Sequence, residues 1–122
     1  MRKLWTLILL AALFPSGFAK TPKALLHQMV RASFYAQKFE GRKMANGDRF
    51  HEYAMTAASR AFPLGTVLYV TNVKTGESIF VEVTDRGPWN ARYGLDLSES
   101  AFLALGFKSC QGWGWVTIEK AH

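Results

Sequence analysis

The sequence predicts a small β-barrel with one short α-helix. Its 122 residues are enough for one domain and no more. Short runs rich in Val, Ile, Thr and aromatic residues recur at the spacing of β-hairpins, and only one segment has the periodicity of a helix. Four to six strands and a helix in a chain of this size favour a closed barrel over a layered fold.

Four runs carry the strand prediction. Each is bounded by turn residues and has the β-branched and aromatic content that strands favour. A turn around Thr75 and Gly76 predicts that the second and third runs form a hairpin. In chain order the runs are ASFYA (32–36), GTVLYVTN (65–72), IFVEVT (79–84) and WGWVTIEK (113–120).

The helix is predicted over Leu97–Leu105. Asp96 is placed to cap its first turn, and Glu99 follows three residues later as in a capping box. Apolar residues at every fourth position from Leu97 to Leu105 share one face, and Gly106 is a natural end. Asp96 is therefore interpreted first as a helix cap and second as a site residue.

Residues 1–19 have the pattern of a secretory signal peptide. A basic start precedes the apolar run Leu4–Phe14, and small residues end at Ala19, where cleavage is expected. An uncleaved N-terminal anchor remains the alternative. Residues 20–31 are then a lead-in to a domain at 32–120. We expect an exported protein of the periplasm or cell envelope, without lipid attachment or stable membrane insertion after cleavage.

Charge and cysteine content limit the binding partners and cofactors that the protein can be expected to have. The net charge is +6, but the basic residues are scattered, so nucleic acid is not an expected partner, whereas an anionic surface such as a cell wall is. Cys110 is the sole cysteine, so no internal disulfide can form, and a buried thiol is expected. No metal or nucleotide motif is present. We therefore predict a monomer without cofactors.

The stretch VEVTDRGPW places a carboxyl group where a strand ends. Alternation along the strand puts Val81 and Val83 on the apolar face, and Asp85 continues that face at the barrel mouth. Partial burial would favour the protonated form that a general acid needs, whereas Arg86 and the turn amides favour the ionised form. Capping of the Gly87–Pro88 turn by Asp85 is the alternative.

Several motifs occur in an order that resembles the RlpA (rare lipoprotein A) family, from about Ala32 to the C-terminus. They are ASFYAQKFEGRKMANGDRF, AMTAASRAFPLGTVLYVTN, VEVTDRGPW and LDLSESAFLALGF. The resemblance implies a six-stranded double-psi β-barrel. It also implies an endolytic lytic transglycosylase that cuts peptidoglycan glycan strands, prefers peptide-free strands and leaves 1,6-anhydro-muramyl ends.

The resemblance also implies three catalytic positions. Asp85 falls on the catalytic aspartate, Asp48 falls on an acidic position of the Ala-Asn-Gly loop, and Ser59 stands where the family has a histidine. We expect the three to converge on one groove, with the Ser59 hydroxyl in hydrogen-bond reach of the Asp85 carboxylate or bridged to it by one water. Losing the histidine leaves two hypotheses open: a slow enzyme, or a catalytically silent, expansin-like glycan-binding barrel. A histidine restored at position 59 should raise the rate by roughly 10²-fold.

Aromatic and basic residues near the groove are candidates for substrate binding. Tyr35 and Trp89 could stack on sugar rings. Arg86 could orient Asp85, meet substrate or brace its turn. Trp113 and Trp115 alternate in the last strand and are predicted to belong to the core or the barrel wall. His51 could stand in for the missing histidine, although a loop histidine is more often simply solvated.

Overall fold

The computed structural model describes residues 28–121, which form a closed six-stranded barrel. The strands are β1 (Gln28–Phe34), β2 (Thr56–Ala58), β3 (Val67–Asn72), β4 (Ser78–Asp85), β5 (Leu95–Leu97) and β6 (Trp113–Lys120). The helix α1 spans Glu99–Ala104, and two single-turn 3₁₀ helices lie at Gln37–Phe39 and Ser109–Gln111. No helix within residues 28–121 is long and apolar enough to span a membrane.

The strand order around the barrel is β1-β5-β2-β4-β3-β6, with β6 closing against β1. The pairs β1–β5 and β2–β4 are parallel, and the other four pairs are antiparallel. The hairpin β3–β4 turns at Gly76, which has a φ of 83°. This topology confirms the predicted six-stranded double-psi barrel with one short helix.

The barrel interior is filled by the inward-facing residues of the strands and closed by α1. Alternation is clear in β4, where Val81 and Val83 are buried and Phe80 and Glu82 are exposed. The strand residues of this hydrophobic core are Ala32, Ala57, Leu68, Val70, Val81, Val83, Leu95, Leu97, Val116 and Ile118. From α1 and the loop after it, Phe102, Leu105 and Phe107 pack against this core.

Gly114 is required by close packing in β6. A Cβ at this position would lie 2.2 Å from Cε1 of Phe107, far inside van der Waals contact.

The tryptophans on either side of Gly114 point away from the interior. Trp113 and Trp115 lie on the outer wall, with the Arg31 guanidinium 5.3 and 5.0 Å from their ring centroids. They belong to the wall and not to the core.

The first strand and the single thiol differ from expectation. The strand begins at Gln28, so residues 28–31 of the expected lead-in pair with β6. Cys110 is exposed, because it lies in a surface 3₁₀ turn. The predicted signal peptide and the rest of the lead-in lie outside the described residues.

The helix starts later than predicted, and this changes the role of Asp96. Ser98 is the N-cap, and its hydroxyl accepts a hydrogen bond from the Ala101 N–H at 3.2 Å. Asp96 lies in β5, paired with Ser33 of β1 and Ala58 of β2. The strands β2 and β5 escaped the sequence prediction because each has three residues, too few to display alternation.

Candidate active site

A cleft of about 480 Å³ opens at one end of the barrel. Its floor is formed where β1, β4 and β5 end, and its walls come from the loops after β1 and β4. Aromatic and charged side chains line it, among them Tyr35, Phe50, Asp85, Arg86, Trp89 and Asp96. A groove of mixed aromatic and charged character suits a polar ligand with flat apolar faces, such as a sugar.

Asp85, the last residue of β4, is held by three donated hydrogen bonds. The Tyr35 hydroxyl donates to Oδ2 at 2.7 Å. The backbone N–H groups of Ala45 and Arg86 donate to Oδ1 at 2.8 and 2.9 Å. Because every partner is a donor, the carboxyl group acts as an acceptor at both oxygens, which fixes its orientation in the cleft.

The Ala45-Asn46-Gly47 loop docks on the end of β4. The Asn46 N–H donates to the Thr84 carbonyl at 3.1 Å, next to the contact of Ala45 with Asp85. Gly47 has a φ of 96°, in the region that favours glycine, and its N–H closes the turn on the Met44 carbonyl. The loop therefore delivers a backbone donor to the carboxylate.

Tyr35 is fixed from two sides. Its ring stacks on Phe50 with centroids 4.3 Å apart and an interplanar angle of 14°, and Phe39 meets its edge. Burial, together with the hydrogen bond to Asp85, raises the pKa of Tyr35 far above its ordinary value. The hydroxyl is therefore a permanent donor to Asp85, and one ring face is already covered.

Arg86 braces the turn around the site. Its guanidinium donates to the carbonyls of Ser59 and Phe62, both at 2.7 Å. These two contacts are the bracing role that the sequence left open, and the substrate-binding role of Arg86 stays a prediction. Arg60 acts similarly, donating to the carbonyls of Pro88 and Tyr93, and so ties down the loop that carries Trp89.

Trp89 stands on the cleft wall with 77% of its surface exposed. The indole is thus open to a ligand, as the stacking prediction requires.

Asp96 lies in the same cleft as Asp85. The Ser33 hydroxyl donates to its Oδ1 at 3.1 Å. Burial, with a smaller contribution from the negative charge of Asp85, raises the pKa of Asp96 from 3.8 to about 6, against the opposing effect of the Ser33 hydrogen bond. The site therefore contains two carboxyl groups in unequal surroundings.

Ser59 is not brought into the cleft. Its side chain is 1% exposed, and its Oγ accepts hydrogen bonds from the N–H groups of Ala61 and Phe62 at 3.0 and 3.1 Å. Its backbone N–H donates to the Asp85 carbonyl, not to the carboxylate. The expected hydroxyl–carboxylate contact is replaced by a local turn, because serine hydroxyls readily bond the amides two and three residues on.

Asp48 faces a separate surface depression. Its carboxylate accepts from the Asn46 amide at 3.2 Å, and the depression is shared with Arg49 and His51. His51 pairs with Glu40, Nδ1 to Oε2 at 2.7 Å, and stacks on Tyr53. The side chain of Asp48 is directed away from the cleft because its loop is a tight turn between Lys43 and Arg49. Asp48, Ser59 and Asp85 therefore do not converge on one groove.

Two functional features escaped the sequence analysis. One is the Tyr35 hydroxyl bond to Asp85, which joins loops far apart in the chain. The other is the position of Asp96 beside Asp85. The stretch Leu95-Asp96-Leu97 carries the signal for the second, a polar residue between two buried leucines as in a short strand, but its helix-cap appearance obscured it.

Comparison with known families gives one match over most of the chain. Residues 27–118 match the family described as lytic transglycolase. A probable endolytic peptidoglycan transglycosylase RlpA from Synechocystis is 44% identical over 88 residues, which is 72% of this chain and 27% of that protein. The endolytic peptidoglycan transglycosylase RlpA of Neisseria meningitidis is 40% identical over 86% of this chain and 45% of that protein. The chain thus spans under half the length of these relatives.

Solved structures share the fold. An expansin mutant from Clavibacter michiganensis in complex with cellohexaose has a TM-score of 0.60 and 28% identity, and the match covers 79% of this chain and 50% of that one. The Streptomyces papain inhibitor has a TM-score of 0.63 over 79% of this chain and 94% of that one, and its 22% identity indicates the fold alone.

Proposed function

This chain belongs to the lytic transglycolase family that contains the RlpA proteins, and on that premise we propose that it is an endolytic enzyme cutting the glycan strands of peptidoglycan. The observation that carries the proposal is the Asp85 carboxyl group, oriented by three donors at the floor of a cleft with an exposed tryptophan on its wall.

The reaction needs two proton movements and no activated water. The glycosidic oxygen must be protonated as its bond to C1 breaks, and the C6 hydroxyl of the same sugar must lose a proton as it closes a 1,6-anhydro ring. A carboxyl group at the cleft floor suits either movement. Because Asp85 is held rigidly, little reorganisation is required when charge develops on the sugar.

The natural substrate in this proposal is a peptide-free glycan strand. A strand that lacks its peptides exposes sugar faces for Trp89 and carries the free lactyl carboxylates of muramic acid. Arg42 and Lys43 line the cleft and would favour such an anionic chain. The site of action follows from the substrate: the protein is exported to the cell envelope, as the pattern of residues 1–19 predicts.

A second candidate is a silent glycan-binding barrel. Burial of Ser59 favours it, because the position where the family has a histidine then contributes no group to the cleft. The similarity to an expansin solved with cellohexaose supports the same candidate.

The test is digestion of peptide-free glycan strands by purified residues 20–122, with mass spectrometry for 1,6-anhydro-muramyl ends. We expect such ends from the wild type and none from Asp85→Asn, which keeps the shape of the side chain but cannot exchange the proton. Pull-down on insoluble strands should find both proteins bound equally. Binding without anhydro ends in the wild type would establish the silent barrel instead.

A further inference from the structure

We propose that Asp96 is the proton donor of this site and Asp85 its proton acceptor, so that two carboxyl groups divide the two proton movements of the proposed reaction. The inference rests on the proposed function and assigns the chemistry of the same cleft.

The barrel topology places the two residues on either side of one short strand. Ala58 of β2 pairs with Asp85 of β4 on one side and with Asp96 of β5 on the other. Two strand spacings separate the Cα atoms by about 9–10 Å. Both side chains line the one cleft. Two carboxyl groups that line one cleft can act on the same bound sugar, one as the proton donor and the other as the acceptor.

The two carboxyl groups have different numbers of hydrogen-bond donors around them, and burial favours the protonated form of Asp96 that a proton donor needs. Asp85 accepts three hydrogen bonds, from Tyr35, Ala45 and Arg86. Asp96 accepts one, from Ser33. Burial of Asp96, with the nearby charge of Asp85, raises the pKa of Asp96 to about 6. Asp96 thus retains its proton far above the usual range of an aspartic acid.

Of the other titratable groups that line the cleft, two are committed to partners other than Asp96. The Tyr35 hydroxyl after β1 is committed to Asp85, and the Arg86 guanidinium after β4 is committed to two carbonyls. Arg42 and Lys43 line the cleft from the loop after β1, and Tyr93 lines it from the loop after β4. Among the described residues that line the cleft, Asp96 and Asp85 are the two carboxyl groups.

The reaction then balances without water. Asp96 gives its proton to the glycosidic oxygen, and the electron pair of the C1–O bond leaves with that oxygen. The C6 oxygen forms the new bond to C1, and its proton passes to the Asp85 carboxylate. One chain end leaves as an alcohol and the other as a 1,6-anhydro sugar. Transfer of the proton from Asp85 back to Asp96 restores the starting state.

The test compares two substrates that differ in their need for a proton donor. One is a peptide-free glycan strand. The other is the 4-nitrophenyl β-glycoside of an oligosaccharide ending in N-acetylmuramic acid, whose nitrophenolate leaves without protonation. For Asp96→Asn we expect kcat to fall about 10²–10⁴-fold on strands and far less on the aryl glycoside. Asp85→Asn should lose activity on both.

Equal loss on both substrates for Asp96→Asn, or no loss on strands, would overturn the inference while the proposed function stands. A wild type that cleaves neither substrate would instead refute the proposed function. Thermal unfolding shows whether each variant is folded.

Ser33→Ala keeps both carboxyl groups and provides a second test. The hydrogen bond that it removes favours ionised Asp96, so its loss should move the alkaline limb of kcat/KM, expected near pH 6 in the wild type, to higher pH. An alkaline limb that does not move would contradict the assignment even if Asp96→Asn fails to fold.

Discussion

The Tyr35 hydroxyl donates a hydrogen bond of 2.7 Å to Oδ2 of Asp85, a residue 50 positions further along the chain. The bond connects the end of β1 to the end of β4, two strands that are not neighbours in the barrel. It is the shortest of the three bonds that hold the carboxylate, and the stacking of Tyr35 on Phe50 fixes its direction. The orientation of Asp85 therefore depends on an aromatic side chain from another part of the sequence.

Removal of this hydroxyl should impair both catalysis and folding. A hydrogen bond to a charged group contributes about 1.5–3 kcal/mol to stability, so we expect Tyr35→Phe to lower the free energy of unfolding by no more than this, because the Phe ring preserves the stacking on Phe50. Loss of the same energy in the transition state would lower kcat on glycan strands by roughly 10–100-fold. Phe39→Leu, which alters the packing around Tyr35 but leaves its hydroxyl, is the matched control. A Tyr35→Phe enzyme with wild-type kcat would show that the bond does not matter for catalysis.

Substitution at position 59 should affect stability and not proton transfer. Ser59→Ala removes two hydrogen bonds to backbone amides and should lower the free energy of unfolding by about 1–2 kcal/mol, measured in urea. The buried site has no room for an imidazole, so we expect Ser59→His to overpack the turn and destabilise the protein by about 1–3 kcal/mol. The gain in rate that the sequence alone suggested should be absent. A faster Ser59→His enzyme would contradict this account.

Trp89 should contribute to substrate binding but not to the stability of the fold. If an indole stacked on a sugar ring contributes as much as a stacked aromatic pair, about 0.5–1.5 kcal/mol, Trp89→Ala should raise KM for glycan strands by about 2- to 10-fold. Its exposure predicts little change in stability. Phe80→Ala is the control, because Phe80 is also exposed, at 58%, but lies on the outer face of β4 away from the cleft. Equal effects of the two substitutions on KM would exclude a specific role for Trp89.

Asp96 should make stability depend on pH in a defined direction. Its pKa is about 6 in the folded protein against 3.8 ordinarily, so between these pH values the folded state binds more protons than the unfolded chain. The contribution of protonated Asp96 to stability is therefore present in full below this window, falls as pH rises through it and is absent above it. Asp96→Asn should unfold with a free energy about 1–3 kcal/mol higher than wild type at pH 8, and this advantage should shrink toward pH 4. Urea titrations at the two pH values would reveal it, and an identical difference at both would contradict the raised pKa.

The helix region shows what a local pattern can and cannot predict. The apolar spacing from Leu97 onward correctly predicted a helix that packs on the core, because helix periodicity depends on local burial. Its first residue was misplaced, because Asp96 and Ser98 are both good caps and only the pairing of β5 with β1 and β2 selects between them. That pairing joins residues more than thirty positions apart.

By itself the sequence determined the barrel, the β3–β4 hairpin and the position of Asp85 at the end of its strand, since alternation and turn chemistry involve near neighbours. It also carried the resemblance to a glycan-cleaving family. Tertiary structure alone decided which groups meet Asp85. It places Tyr35 and Asp96 in the cleft with Asp85, although β1, which Tyr35 follows, and β5, which carries Asp96, are not next to β4 in the barrel. It leaves Ser59 and Asp48 outside the cleft. The physical reason is that parallel pairing and barrel closure join distant strand ends, and no local periodicity records which ends those are.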